Sequence, residues 1–352
     1  MSKKTKKVYA KLIANPGAAE KTGRVKLFEE ITRELKTLGL TVDVALAKPH
    51  EEAVAIARRA VKDGYKIIIA VGGDDTIEAV IRGMNGSKAH LGIIAGGTAN
   101  NLAKTLGIPE DPMQACALIA SGQFRKLDLG RVKVGGRKKV LFFELVTIGI
   151  AAAVYPDAMH ASKGRLSSVK NAIETVLKHE SKPKVTVIMD GDSSVTVESM
   201  LAVVSNVPLL GTSMLVDPDS SLDDGLLDVS LYPNFSKAEL LAYSSKINHQ
   251  GKTADGGIQR YRAHKLKIKT SPELEVMADG VMLGTGTVKI KLLPGALRVI
   301  APPVGAGVEK APSAAAVEMP PPISPIVVGN VTDKDPAPML DGQRAERIFQ
   351  RR

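Results

Sequence analysis

The run Ile67-Ile68-Ile69-Ala70-Val71 constrains the fold more than any other segment, because every residue in it is apolar. A strand with one exposed face would alternate apolar and polar residues, whereas a fully apolar strand is typical of a parallel sheet covered on both faces. Helical and strand-like patterns alternate around this run as far as about Ser121. The N-terminal part is therefore predicted to be a parallel α/β domain.

Two glycines end this strand, in the loop Gly72-Gly73-Asp74-Asp75-Thr76, and a helix follows at once. Glycines let backbone amides approach phosphate oxygens closely, and a helix N-terminus adds a favourable dipole. Thr76 can cap the helix or donate a hydrogen bond to a phosphate. Asp74 would repel a phosphate unless it holds Mg²⁺ or handles the proton of an acceptor hydroxyl. The alternative is an ordinary tight turn capped by Asp74.

The next predicted strand, Leu91–Ala95, leads into a second glycine-rich loop, Gly96-Gly97-Thr98-Ala99-Asn100. Ligands of open α/β sheets bind beyond the C-terminal ends of the strands, so both loops can face one nucleotide. Two independent capped turns would be a coincidence, which favours a shared phosphate site. Neither loop matches the Walker pattern or the dinucleotide-binding fingerprint.

Beyond Leu127, strand-like runs follow one another directly, from Gly130–Val134 and Val140–Ile148 to Leu297–Ile300. This pattern predicts an antiparallel β domain. From Pro302 onward Pro, Ala and Gly dominate, a composition typical of disordered segments. We therefore predict a nucleotide-binding α/β domain over residues 1–127, a β domain over 128–302 and a Pro/Ala-rich disordered tail over 303–352.

The formal net charge of +11 indicates an anionic partner, such as a phosphate ligand, a nucleic acid or a membrane surface. Part of this charge lies at the start of the chain, in Lys3, Lys4, Lys6, Lys7 and Lys11. This segment is either a solvated, frayed terminus or a basic foot on an anionic leaflet. Aromatic residues make up only 3% of the chain and Trp is absent, which argues against nucleic-acid binding by base stacking.

Three further features favour a cytoplasmic protein. The single cysteine, Cys116, cannot form an intrachain disulfide, which fits a reducing compartment. No apolar run approaches the roughly 20 residues of a membrane span. The apolar stretch Val8–Ala14 is interrupted by Lys11, which argues against a secretory signal.

A set of short motifs occurs in an order that resembles one enzyme family. Each motif alone is weak, but the ordered set is specific and runs from about Val8 to Pro302. Its members are Asn15-Pro16, Gly-Gly-Asp-x-Thr at 72–76, Gly96-Gly97-Thr98-x-Asn100, Leu106-Gly107-Ile108-Pro109, Leu127-Asp128-Leu129-Gly130, Asp223-Asp224-Gly225-Leu226-Leu227-Asp228, Asp279-Gly280 and Pro294-Gly295-Ala296-Leu297. The chain resembles the bacterial diacylglycerol-kinase-like lipid kinases, relatives of the sphingosine kinases and the eukaryotic diacylglycerol kinases.

This resemblance implies an N-terminal domain related to those of NAD kinase and phosphofructokinase, a C-terminal antiparallel β-sandwich, and an active site in the cleft between them. It also implies a structural Mg²⁺ at the Asp224 carboxylate and the carbonyls of Ser221 and Leu226, a donor set that suits a hard cation. The alternative for Asp223-Asp224-Gly225 is an ordinary hairpin turn. Carried over by position, the ATP contacts are Asn15, Gly72, Gly73, Asp74, Thr76 and Thr98, with Asp75, Glu78, Gly97 and Asn100 beside them.

The sequence departs from the family pattern at four positions. Asp75 replaces a Gly, Glu78 replaces an Asn, and Asn101 replaces an Asp. Val281 replaces the Glu that is taken as the proton acceptor, and a Val cannot accept a proton. Either Asp279 serves instead, or Asp75 and Glu78 supply a base or a metal ligand, or phosphoryl transfer is lost. Phosphoryl transfer depends mainly on positioning and charge neutralisation, so the loss of one base need not abolish it.

The predicted function is an ATP- and Mg²⁺-dependent lipid kinase that phosphorylates a hydroxyl of diacylglycerol or a similar lipid, with Asp74 and Asp279 as catalytic residues. We expect it in the cytoplasm, peripheral to the inner membrane face, without nucleic acid as a partner, and a homodimer is left open. The first alternative is a catalytically impaired nucleotide- or lipid-binding homologue, motivated by Val281 and Asn101. The second is an NAD-kinase-like enzyme, which the motifs at 106–109 and 223–226 disfavour.

Overall fold

The fold is taken from a computed structural model of the chain. It describes residues 8–15, 22–47, 50–97, 100–154, 183–207, 209–210, 214–215, 220–233 and 257–303, together with 171, 174–175, 178, 235–236 and 239. The predicted tail beyond residue 303, the lysines at 3–7 and Thr98 of the second glycine loop lie outside the described residues.

The N-terminal part alternates strands and helices, as the sequence predicts. The strands pair in parallel in the order β2-β1-β3-β4. The elements are β1 (Val8–Ala14), α1 (Thr22–Thr37), β2 (Leu40–Leu46), α2 (His50–Lys62), β3 (Ile67–Gly72), α3 (Asp74–Met84), β4 (His90–Ala95), α4 (Asn101–Thr105) and α5 (Pro112–Ser121).

Strand β3 is buried along its whole length because its side chains enter two different cores. Ile68 and Ala70 pack in the core that contains residues of α2 and α3, such as Ala57 and Ile77. Ile69, from the opposite face of the strand, packs in the core formed with α1 and α5. Each large aliphatic side chain buried in this way contributes roughly 1.5–3 kcal/mol, so the two cores hold β3 firmly and fix the position of its C-terminal end.

The C-terminal part is an antiparallel β-sandwich. Strand β9 joins its two sheets, because its first half pairs with β8 and its second half pairs with β7 and β12. Side chains from both sheets, such as Val187 and Ile290 from one and Val204 and Val276 from the other, form a common core. The elements are β5 (Phe124–Val134), β6 (Val140–Phe142), β7 (Leu145–Gly149), β8 (Lys184–Met189), β9 (Ser193–Ser205), β10 (Leu209–Leu210), β11 (Met214–Leu215), β12 (Leu227–Pro233), β13 (Gln259–Ala263), β14 (Lys265–Ser271), β15 (Glu275–Ala278), β16 (Val281–Thr285) and β17 (Val288–Ile300).

The long strands β5 and β17 connect the two parts. Strand β17 pairs with β14 near its start, and near its end it pairs in parallel with β4 of the α/β part. Its pairing with β5 shifts register between Leu293 and Leu297. The buried carboxylate of Asp128 fixes this irregularity, because it accepts the N–H groups of Gly295 at 2.7 Å and Gly225 at 2.8 Å. The predicted boundary at 127/128 falls inside β5, and the domain limits stay a prediction.

Candidate active site

The two glycine-rich loops lie against each other at the C-terminal edge of the parallel strands. Gly72 of β3 is directly opposite Ala95 of β4, so the two loops leave the sheet side by side. A Cβ atom added at Gly97 would lie 2.5 Å from Gly73 Cα, and one added at Gly73 would lie 3.1 Å from Gly97 Cα. Backbone therefore meets backbone at this point, and the close approach requires glycine at residue 97.

Helix α3 begins directly after the first loop. The carbonyl of Gly73 accepts the N–H groups of Thr76 at 2.9 Å and Ile77 at 3.1 Å. Thr76 is buried beneath the loop, and a Cβ at Gly72 would lie 2.7 Å from its Oγ1. No side chain caps the start of α3. The first turn of the helix therefore presents backbone N–H groups, the arrangement that suits an anion.

Asp74 joins the two loops instead of capping its own helix. Its Oδ1 accepts the N–H of Asn101 at 2.8 Å, which lies at the start of α4. Its other oxygen has no hydrogen-bond partner among the described residues. Asp75, the next residue, is exposed. The simple alternative of a turn capped by Asp74 does not match this geometry.

Asn100 and Asn15 shape the backbone around the loops. The Asn100 side chain accepts the N–H of Gly97 at 2.9 Å and donates to the carbonyl of Gly97 at 3.0 Å, while its own backbone is left-handed. Asn15, at the end of β1, donates its N–H to the carbonyl of Val71 at 3.4 Å. Both predicted contacts therefore lie at the edge of the sheet where the loops lie.

Asp279 lies in the tight turn Asp279-Gly280 between β15 and β16, where both residues have positive φ. Its carboxylate accepts three backbone N–H groups, from Phe143 at 2.6 Å and from Glu144 and Leu145 at 3.0 Å each. These bonds take the amides that would continue a strand ladder. The run Val140–Ile148, predicted as one strand, is therefore divided into β6 and β7, and that prediction was wrong.

A guanidinium connects this turn to the first loop. Arg82, on α3, donates from Nη2 to the carbonyl oxygen of Asp279 at 3.4 Å. Burial raises the pKa of Asp279 above its ordinary value, although the three N–H groups and Arg82 oppose this shift. Asp279 is thus a carboxylate that holds the segment 143–145 in place beside α3.

Glu144 and Glu78 surround Asp279 with further carboxyl groups. Burial raises the pKa of Glu144 to about 8, and the charges of Asp279, Asp74 and Asp75 contribute to this shift. Burial also raises the pKa of Glu78 well above its ordinary value, with further contributions from Asp279 and Glu144, while Arg82 opposes the shift. Carboxyl groups from the α/β part and from the β-sandwich therefore share one low-dielectric environment.

The sequence analysis did not identify Glu144 as a candidate site residue, although its position in an apolar run points to it. Glu144 interrupts the apolar run Leu141-Phe142-Phe143-Glu144-Leu145-Val146, and a carboxyl group there is expensive unless it has a specific role. Glu144 is 7% exposed in the structure. Searching buried strand runs for a single charged residue would have found it.

Both parts of the chain match known protein families. The diacylglycerol kinase catalytic domain matches residues 9–132. The YegS C-terminal NAD kinase beta sandwich-like domain matches residues 144–301. The chain belongs to the bacterial diacylglycerol-kinase-like lipid kinase family. The resemblance based on the ordered motifs is thereby confirmed.

Individual lipid kinases of this family resemble the chain over most of its length. A diacylglycerol kinase of Mycobacterium tuberculosis is 25% identical over 79% of this chain and 90% of its own. A diacylglycerol kinase of Bacillus subtilis is 26% identical over 77% and 89%, respectively. A crystal structure from Bacillus anthracis, assigned to the diacylglycerol kinases, superposes with a TM-score of 0.68 at 25% identity and covers 86% of this chain. The predicted fold, a parallel α/β domain followed by a β-sandwich, is confirmed.

The segment 220–228 of this lipid kinase, which leads into β12, contains a second group of acidic residues. Asp224 Oδ1 accepts the N–H of Leu226 at 3.0 Å, and Asp224 Oδ2 forms an ion pair with Arg262 Nη2. Arg262 Nε also binds the buried Asp228 at 2.8 Å. Both oxygens of Asp224 are thus engaged, one of them with a cationic side chain. As they stand, these residues do not fit a divalent ion, and the predicted Mg²⁺ site at Ser221, Asp224 and Leu226 stays a prediction.

The structure adds two findings on ligands and membranes. Within the described residues, no three His, Cys, Asp or Glu side chains are arranged to hold a metal ion. The helices in that part of the chain are all too short or too polar to cross a bilayer.

Proposed function

We propose that this lipid kinase uses ATP and Mg²⁺ to phosphorylate a hydroxyl of diacylglycerol or a similar lipid, in the cleft between the α/β domain and the β-sandwich. The observation that carries the proposal is the backbone contact between the loops at Gly73 and Gly97, with Asp74 joining them. Family membership supports kinase chemistry and a lipid substrate. The cytoplasmic location at the inner membrane face belongs to the same proposal.

The glycine loops would hold the phosphates of the nucleotide. Gly72, Gly73 and Gly97 allow the two loops and Thr76 to pack closely, and no side chain caps the N–H groups at the start of α3. Thr76 is buried beneath this loop, so we assign it to holding the loop shape. Bound ATP supplies the phosphoryl group, and the loops fix its orientation.

Asp74 would hold Mg²⁺ through the oxygen that Asn101 does not use. Magnesium in kinases is usually bound by one or two carboxylates together with substrate phosphates. A single well-placed carboxylate together with the phosphates of ATP can therefore hold the ion. Asp75 and Glu78 add two carboxyl groups nearby, and binding of a cation would favour their charged forms.

Asp279 is proposed to act by positioning rather than by taking a proton. Its carboxylate already accepts three N–H groups, so both of its oxygens are engaged in holding residues 143–145. Those bonds fix the backbone of Glu144. The pKa of Glu144, about 8, is closer to a working pH near neutrality than that of an ordinary carboxyl group, which suits proton exchange with a lipid hydroxyl.

The test is transfer of labelled phosphate from ATP to diacylglycerol in mixed micelles with Mg²⁺, using three variants. Asp74→Asn keeps an oxygen for the N–H of Asn101 but removes the charge, so we expect a loss of at least about 100-fold in kcat with unchanged stability. Gly97→Ala should abolish nucleotide binding because its Cβ meets Gly73. Gly96→Ala is the matched control, because its Cβ would lie 3.5 Å from Gly72 Cα, an ordinary contact.

The alternative of a catalytically impaired homologue is motivated by Val281, which replaces the family's expected Glu. It predicts ATP binding without a labelled product for any lipid in a panel. That result would refute the kinase proposal. Labelling of NAD but of no lipid would instead support an NAD-kinase-like enzyme.

A further inference from the structure

The outward face of the sheet formed by β5, β17 and β14 has a high density of positive charge. Six cationic residues lie on it, three of them exposed and three half-buried. Together with Lys139 they line a groove of about 400 Å³. These six residues, named here the basic face, are Arg131, Lys133, Lys265, Lys267, Lys289 and Lys291.

The strand register places these cations directly opposite one another in two rows. Lys289 is opposite Lys133 on one side and Lys267 on the other. The second row consists of Lys291 with Arg131 and Lys265. Side chains directly opposite in neighbouring strands have Cβ atoms only about 4.5–5.5 Å apart, and like charges in such positions destabilise a sheet.

Among the residues that the structure describes, no carboxylate offsets the repulsion between these cations. No cation of the basic face forms an ion pair there. Asp190 is adjacent, but its carboxylate accepts the backbone N–H groups of His264 and Lys265 and closes the end of β14. Two rows of uncompensated like charges therefore fit an anionic partner that covers a broad surface.

A second groove continues this surface toward the active site. It has a volume of about 400 Å³ and is lined by Arg137 and Lys138, next to Lys139 of the first groove, and by Met282. Met282 is 39% exposed. It lies on β16, three residues along the chain from Asp279. The basic surface, together with the apolar Met282, thus extends to the hairpin of β15 and β16, whose turn contains Asp279.

We propose that the basic face docks this protein onto a membrane that contains anionic phospholipids. A bilayer offers many phosphates in one plane, which matches two rows of charges on a sheet better than a single small anion does. Met282 at the neighbouring groove can enter the interfacial region of the bilayer, where apolar groups are favoured. The choice of a membrane over other polyanions rests on the proposed function, because a lipid kinase must reach a substrate that resides in a bilayer.

The experiment is sedimentation of the full chain with vesicles of phosphatidylcholine alone or mixed with phosphatidylglycerol. Each lysine near an anionic surface strengthens binding by about fivefold, so replacing Lys267, Lys289 and Lys291 by Gln should weaken binding roughly 100-fold. The matched control replaces Lys36, Lys62 and Lys88, three exposed lysines of the α/β part, and removes the same net charge. We expect the control to bind nearly as tightly as the unaltered chain. Raising the salt concentration should weaken binding by the unaltered chain.

Three results would overturn the proposal. The first is equal binding by the two triple variants. The second is loss of vesicle binding only when Lys3, Lys4, Lys6 and Lys7 are replaced by Gln, which would assign the contact to the N-terminus. The third is binding to a duplex oligonucleotide that is tighter than vesicle binding and is lost in the basic-face variant, which would indicate a nucleic acid as the partner.

Activity in mixed micelles separates this proposal from the proposed function. Detergent micelles deliver the lipid without an anionic bilayer, so the basic-face variant should keep its activity there. Vesicle binding without kinase activity would reject only the kinase proposal. Kinase activity without vesicle binding would reject only the docking proposal.

Discussion

The molecule contains two groups of acidic residues that differ in how their charge is balanced. In the segment 220–228, Arg262 binds Asp224 and Asp228, and Arg125 binds Asp223 at 3.0 Å. Beside α3, burial raises the pKa values of Glu78, Glu144 and Asp279, and the charge of Asp279 raises the first two further, while Arg82 opposes the shifts of Glu78 and Asp279.

This difference in charge balance indicates a structural role for the acidic residues at 220–228 and favours a chemical role for the group beside α3. In the segment 220–228, arginines balance the carboxylates and fix a connection between strands. In the group beside α3, burial disfavours the charged forms of the carboxyl groups, and such a site gains when a cation or a proton is added. Acidic residues alone therefore do not identify a functional site, and the raised pKa values are what make the group beside α3 the candidate.

The largest expected effect on stability comes from removing the Asp279 carboxylate. Asp279→Ala leaves three N–H groups of residues 143–145 without their acceptor, which should destabilise the protein by roughly 3–6 kcal/mol. Urea unfolding measures this loss. Asp279→Asn retains one acceptor oxygen and should cost clearly less. Equal stability of Asp279→Ala and the unaltered protein would mean that the carboxylate does not hold this segment.

The next effect tests the charge balance in the segment 220–228. Arg262→Met leaves Asp228, which is 2% exposed, without its cation, and should destabilise the protein by about 2–4 kcal/mol. Arg125→Met is the matched comparison, because its partner Asp223 is 37% exposed and the pair should contribute only about 0–1 kcal/mol. If both variants lose the same stability, burial of Asp228 is not what makes Arg262 important.

Glu144→Gln should stabilise the protein at alkaline pH. The pKa of Glu144 is raised from 4.5 to about 8 in the folded state. Between these values the folded protein retains a proton that the unfolded chain releases, so stability falls as pH rises and the loss is complete above about pH 8. The variant lacks this loss and should gain roughly 1–4 kcal/mol at alkaline pH. Unfolding curves that coincide for both proteins at acidic and alkaline pH would contradict the shift.

Local sequence patterns predicted most of the fold because they report burial directly. The apolar run of β3 specified a strand covered on both faces, and the glycines at 72–73 and 96–97 located the loop contact. The division between β6 and β7 could not be predicted, since it depends on Asp279, more than 130 residues away in the chain. The roles of Asp224 and Asp228 likewise depend on a distant residue, Arg262.

The smallest expected effect is that of removing divalent ions. If Arg262 balances the segment 220–228, chelation with EDTA should leave the melting temperature of the nucleotide-free protein almost unchanged, within about 1 °C. In Arg262→Met the Asp224 and Asp228 carboxylates lose their cation, and added Mg²⁺ should then raise the melting temperature, because a divalent ion can replace the lost charge. A large loss on chelation of the unaltered protein would instead favour the metal predicted at Asp224. Arg262 and a divalent ion would thus balance the same negative charge, that of Asp224 and Asp228, and the two would compete for one position between these carboxylates.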